Sequence, residues 1–161
     1  MIYMESAALE FSATFLIWIL YAGLFFLWFF DKEIKKEQII YALVAGFFAW
    51  TIAQGIKTIF PTLRPYVVNG DPVGVLLTPT GSAFPSAHTA LAFSLAVTIF
   101  LLDGKIGWIY LSMAMFIGIA RVLANVHYPV DILGGALIGV LVSVIVVKTR
   151  MFKLLNKAGK K

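Results

Sequence analysis

The chain is 161 residues long, enough for one domain, and 61% of it is apolar against 13% charged. A soluble domain averages about 45–50% apolar and about 25% charged, so this balance, with a mean hydropathy of +0.93, excludes a disordered chain, a coiled coil and a soluble enzyme. With no cysteine in the chain, a disulfide framework, a thiolate metal site and a thiol nucleophile are excluded too.

The first apolar run, residues 11–30, carries no charge and has the roughly 20 residues a helix needs to cross about 30 Å of hydrocarbon. It does not read as a cleavable signal peptide, because no Lys or Arg precedes it and it exceeds the roughly 7–15 residues of a signal core. A charged stretch follows at 31–37, then a second span at about 39–56. Three shorter runs, 89–102, 106–120 and 132–147, become long enough when extended through His88, Arg121 and Asp131 respectively. Lys57 likewise caps the second span. The expectation is an all-α polytopic membrane helix bundle of about five transmembrane helices in a single domain over 1–161. Residues 66–84, rich in Gly, Pro and apolar residues, are expected to form a rim or lid, and 148–161 a basic cytoplasmic tail.

Five spans place the termini on opposite sides, and lysine and arginine concentrate on the cytoplasmic side of membrane proteins. With the N-terminus outside, segments 31–38, 103–105 and 148–161 hold ten of the thirteen basic residues. The expected location is the cytoplasmic (inner) membrane, with the C-terminus cytoplasmic. The basic charge follows from topology and not from nucleic-acid binding. Trp28, Tyr41, Trp108 and Tyr110 near the inner ends, and Tyr66 and Tyr128 near the outer ends, suit interfacial belts.

The three remaining cations are Lys57, Arg64 and Arg121, all at the outer face. Taken singly, each could snorkel to headgroups or pair with a carboxylate. The same rim, however, collects both histidines of the chain, His88 and His127, and the carboxylate Asp131. Phosphate-ester chemistry needs that set: fixed positive charge for the phosphoryl oxygens, a nucleophile and an acid for the leaving group. Pro61 cannot donate to the carbonyl of Lys57 and should end the second helix, leaving Arg64-Pro65 in extended chain. Ser86 is a natural N-cap for the third span, which turns the Ala87 and His88 amides into orphan donors at a positive helix end. Pro129 suits the first position of the fifth span, with His127 just before it and Asp131 in its first turn.

These residues fall into three spaced motifs: Lys57-TIFPTL-Arg64-Pro65, Pro85-Ser86-Ala87-His88, and Ala120-Arg121-VLANV-His127-YPV-Asp131. In order and spacing they resemble the type 2 phosphatidic acid phosphatase superfamily of integral membrane lipid phosphatases, over roughly residues 40–147. Ala87 stands where that family usually has glycine, and Ala120 where it has serine. The resemblance implies that His127 is the nucleophile, forming a phosphohistidine. Asp131 holds its other ring nitrogen, and His88 serves as acid and then base. Lys57, Arg64, Ser86, Ala87 and Arg121 bind the phosphoryl oxygens. It implies no metal and no cofactor, the cations taking the charge-neutralising role, and no obligate protein partner.

The implied substrate is a membrane lipid phosphate or pyrophosphate attacked at its terminal phosphate on the outer face of the membrane. Undecaprenyl pyrophosphate or a lipid A 1-phosphate is expected first, phosphatidic acid or phosphatidylglycerol phosphate as the alternative. Two non-enzymatic readings stay open. A haem-binding electron carrier would use His88 and His127 as axial ligands, and a phosphate-lipid transporter would use the cations without chemistry. Gly135-x₃-Gly139 allows close helix contact, within the bundle as readily as between subunits.

Overall fold

A computed structural model describes residues 2–30, 36–70 and 81–158, with side chains described over 15–30, 36–70 and 81–149. Residues 31–35 of the charged stretch, the middle of the expected rim segment (71–80) and the side chains of the basic tail from 150 lie outside the described residues. Among the described residues the only regular elements are helices: α1 (Ile2–Phe30), α2 (Lys36–Ile59), α3 (Pro65–Asn69), α4 (Ala87–Leu102), α5 (Gly104–Leu123) and α6 (Pro129–Ala158). Three of these, Lys36–Ile59, Gly104–Leu123 and Pro129–Thr149, are long and apolar enough to cross a membrane. Phe15–Phe30 and Ala87–Leu102 are shorter apolar helices. Large apolar side chains such as Phe25, Phe47, Trp108, Phe116 and Leu137 point outward from the bundle, which is tenable only where the surroundings are lipid.

Local chemistry sets the helix ends. The Phe60 amide still reaches the carbonyl of Ile56 at 2.9 Å, but Pro61 has no amide to continue the ladder, and α2 stops. Ser86, in extended conformation, caps α4, its side chain accepting from the Thr89 amide at 3.4 Å. Asp103 caps α5 through the Ile106 amide at 3.1 Å while its own amide closes α4 on Ile99 at 2.7 Å, so one residue turns the chain between two helices. α6 begins at Pro129, whose fixed φ suits a first helical position, and it continues as helix into the basic tail.

α4 is the axis of the bundle, packed against α2, α5 and α6, while α1 lies chiefly on α5. Its buried positions are mostly small: Ala87, Thr89, Ala90, Ala92, Ser94, Ala96 and Thr98. α2 answers with Ala42, Ala45, Gly46, Ala49 and Ala53. α6 answers with glycine: a Cβ on Gly135 would stand 2.4 Å from the Ser86 carbonyl oxygen, and one on Gly139 2.6 Å from that of Ala90. The Gly135-x₃-Gly139 pair therefore works within the chain, seating α6 against the α4 backbone. Lipid supplies no hydrophobic drive between helices, so contact depends on such close van der Waals fit and on interhelical hydrogen bonds. Ser143 provides one, donating to the Ser94 carbonyl at 2.9 Å.

One aromatic assignment changes. Tyr110 is buried in the core and donates to the Leu20 carbonyl of α1 at 3.2 Å, so it ties α1 to α5 and is not part of an interfacial belt. A buried phenol takes this role because its hydroxyl must find a partner where no water competes.

Candidate active site

Four helix ends meet at one end of the bundle: the end of α2, the start of α4, the end of α5 and the start of α6. Every residue singled out from the three motifs lies there. Arg64, Arg121, His127 and Asp131 are buried, at 5%, 3%, 2% and 2% exposure, Ser86 and Ala87 are buried, and Lys57 and His88 are half-buried.

His127 sits in the turn between α5 and α6, held from both sides. Its Nδ1 lies 3.3 Å from Asp131 Oδ2, and its Nε2 lies 3.3 Å from Arg64 Nη1. A carboxylate accepts and a guanidinium only donates. The network thus assigns the imidazole as neutral, its proton on Nδ1 toward Asp131 and its Nε2 lone pair toward the cations. Asp131 Oδ2 also accepts the Tyr128 amide at 2.8 Å, which fixes the carboxylate before it meets the ring. Burial is the main force on His127 and pushes its pKa down to about 4; the Asp131 hydrogen bond raises it, and Arg121, Arg64 and Lys57 lower it again. The carboxylate thus does not charge its partner, because desolvation and three cations outweigh it. His127 is neutral at pH 7.

The cations are held in an unexpected way. Among the described residues, main-chain carbonyls and not a carboxylate hold Lys57 and Arg64. Lys57 Nζ donates to the carbonyls of Ser82 and Ala83, the second at 3.1 Å. Arg64 donates from Nε to Gly81 at 3.0 Å, from Nη2 to Ser82 at 3.2 Å and from Nη1 to Val126 at 3.0 Å, carbonyl oxygens in each case. Carbonyl dipoles orient a cation without cancelling its charge, so the rim keeps its positive field. Arg121, from the last turn of α5, is buried with its Nε bonded to no protein group among the described residues. His88, in the first turn of α4, lies in electrostatic reach of Arg121, His127, Lys57 and Arg64.

The second and third motifs are joined through the backbone, the Ser86 amide donating to the Asp131 carbonyl at 2.9 Å. Thr89 Oγ1 donates to Ser86 Oγ at 2.9 Å, which leaves the serine hydroxyl proton available to another acceptor. Ala87 is the first residue of α4 and lies outside the positive-φ set, so alanine is unstrained where the family has glycine. Ala120 packs with Ala124, Val126, Leu16 and Tyr66, an apolar setting that suits a methyl group. Among the described residues no three His, Asp or Glu side chains group as a metal site would require.

Sequence reading missed two parts of this region. The short helix α3 starts with Pro65 at its first position and ends at Gly70, whose φ is 70°; proline-in and glycine-out is its signature. The irregular segment 81–83 supplies most of the carbonyls that hold Lys57 and Arg64, Val126 adding one more, and no side-chain motif could announce it.

Comparison with known proteins agrees with the geometry. Residues 37–154 match the PAP2 superfamily. The Bacillus licheniformis protein named bacitracin transport permease protein BcrC is 31% identical over 86% of this chain and 68% of its own length. The undecaprenyl-diphosphatase BcrC of Bacillus subtilis is 27% identical over 72% of this chain and 60% of its own. The crystal structure of Aquifex aeolicus LpxE superposes with a TM-score of 0.68 at 30% identity, covering 88% of this chain and 86% of that one. The match spans all three motifs, their order and the bundle that brings them together: this chain is a membrane protein of the PAP2 superfamily.

Proposed function

We propose that the chain is an integral membrane lipid phosphatase that removes the terminal phosphate of undecaprenyl pyrophosphate, or of a lipid phosphate of that class, through a phosphohistidine. The observation that carries the reading is the orientation of His127, whose Nε2 lone pair is aimed at a cluster of cations by a carboxylate on its other nitrogen. A site that only binds phosphate needs the cations; it has no use for an imidazole with a fixed tautomer. That argues against transport without chemistry, the activity in the name of one relative, and for the diphosphatase activity in the name of the other.

In the first step, Nε2 of neutral His127 attacks the terminal phosphorus while the bond to the bridging oxygen breaks. His88 delivers a proton to that oxygen, and the lipid monophosphate leaves. In the second step, water attacks the phosphohistidine, His88 takes its proton, the P–N bond breaks and inorganic phosphate departs. Asp131 stabilises the charge that develops on the ring. Lys57, Arg64 and Arg121, with the Ser86 hydroxyl and the Ala87 and His88 amides, bind the phosphoryl oxygens. The distribution of lysine and arginine supports a rim on the outer face of the cytoplasmic membrane with the C-terminus inside.

The test is release of inorganic phosphate by purified protein in detergent from undecaprenyl pyrophosphate, lipid A 1-phosphate, phosphatidic acid and phosphatidylglycerol phosphate, with excess chelator present. Phosphate from undecaprenyl pyrophosphate at the highest kcat/KM is the expected result. Lipid movement across vesicles without phosphate release would overturn the reading.

A further inference from the structure

Thr62 is a spacer residue of the first motif and Ser82 belongs to none of the three, yet together they tie the chain leaving α2 to the segment entering α4. Ser82 Oγ donates to the Phe60 carbonyl at 2.8 Å and accepts from the Thr62 amide at 3.0 Å. Thr62 Oγ1 lies 2.9 Å from Ser82 Oγ and accepts from the Phe84 amide at 2.8 Å. The proton count closes in one direction only: Ser82 gives its hydroxyl proton to Phe60, so the Thr62 hydroxyl donates to Ser82 and keeps its lone pair for Phe84. The Ala83 amide donates to the Thr62 carbonyl at 3.0 Å, completing the clasp.

The clasp matters because of the carbonyl it presents. Ser82 O accepts from Lys57 Nζ and from Arg64 Nη2 at 3.2 Å, so one backbone oxygen uses both lone pairs to hold two like charges side by side. The negative end of that dipole lies between the cations and offsets their mutual repulsion without neutralising either. Arg64 in turn reaches His127 Nε2.

We propose that Thr62 and Ser82 are positioning residues, a neutral clasp that sets Lys57 and Arg64 at the spacing a phosphoryl group requires. The proposal rests on the phosphate-site reading above, but its test does not depend on turnover. Equilibrium binding of inorganic phosphate to the purified full-length protein, alongside kcat/KM on the lipid substrate, is measured for Ser82→Ala, Thr62→Val and Thr62→Ser. Loss of hydrogen bonds that orient charged groups predicts about tenfold weaker phosphate binding in Ser82→Ala, about threefold in Thr62→Val, and recovery in Thr62→Ser. kcat/KM should fall in parallel.

Ser82→Ala and Thr62→Val proteins that bind phosphate within twofold of the parent would overturn the clasp, whatever their melting temperature. So would a Thr62→Ser protein as impaired as Thr62→Val, since the hydroxyl would then not be the working part. If Ser82→Ala does not fold, Thr62→Val against Thr62→Ser decides the matter alone. A parent protein whose phosphate binding depends on Thr62 and Ser82 yet which releases no phosphate from any lipid would remove the phosphatase reading and leave the clasp standing.

Discussion

The middle of the bundle and its motif-bearing rim solve opposite problems. In the middle, α4 meets α2 and α6 through alanine, glycine and serine, and the contact is almost all shape. At the rim, two arginines, a histidine and an aspartate are buried together, and the contact is almost all hydrogen bonding and charge. Buried charge is costly unless every group is paired, so the rim depends on its partners being in place. The middle puts them there. Because glycine lets α6 approach the α4 backbone so closely, the starts of both helices come within one main-chain hydrogen bond of each other. Close packing in the apolar interior is what makes a polar site at its end geometrically possible.

Breaking the rim should cost chemistry first. His127→Ala is expected to lower kcat by about 10⁴-fold or more, as loss of a nucleophile does; near-parental phosphate release by the purified variant would sink the mechanism. Asp131→Asn keeps the size of the side chain but no longer holds the ring by a carboxylate, and should lower kcat by roughly 10²–10⁴-fold.

Breaking the middle should instead cost stability. Gly139→Val drives a side chain into the Ala90 carbonyl and should destabilise the bundle by about 3 kcal/mol, at the upper end for overpacking. Thermal unfolding in detergent measures this, and an unchanged melting temperature would show that α4 and α6 are not so closely seated.

A smaller test separates the two regions by pH. His127 is protonated only below about 4, so kcat/KM should rise with pH through that value and be insensitive to this group above it. Asp131→Asn replaces the charged acceptor that raises the value by a neutral one and should move this acid limb lower. The least effect is expected from Ser143→Ala, which removes one interhelical hydrogen bond worth about 0.6 kcal/mol and should leave kcat/KM unchanged.

Much of this was legible because local rules act on single residues. Pro61, Ser86 and Pro129 mark helix ends by chemistry that needs no tertiary context, and those ends carry Lys57, His88 and Asp131. The cations stood out because topology had no use for them at that face. The partners of Lys57 and Arg64 were not legible, since a main-chain carbonyl is the same in every residue and only folding chooses which one faces a cation. Tyr110 was misread for a related reason: an aromatic near a span end suits the interface or the core equally, and only the position of α1 decides. The depression of the His127 pKa also required burial to be known; its aspartate neighbour alone argues for the opposite direction.

The backbone bond from Ser86 to Asp131 divides the rim into halves of different character. The beginnings of α4 and α6 are riveted to each other and, through the glycine seam, to the body of the protein. They carry His88 and Asp131, with His127 at the threshold. Lys57, in the last turn of α2, and the buried Arg64 are tied instead to segment 81–84, by its carbonyls and by the hydroxyls of Thr62 and Ser82. The cation-bearing half is thus held by lacing between two irregular segments, and the half with His88 and Asp131 by the helix seam.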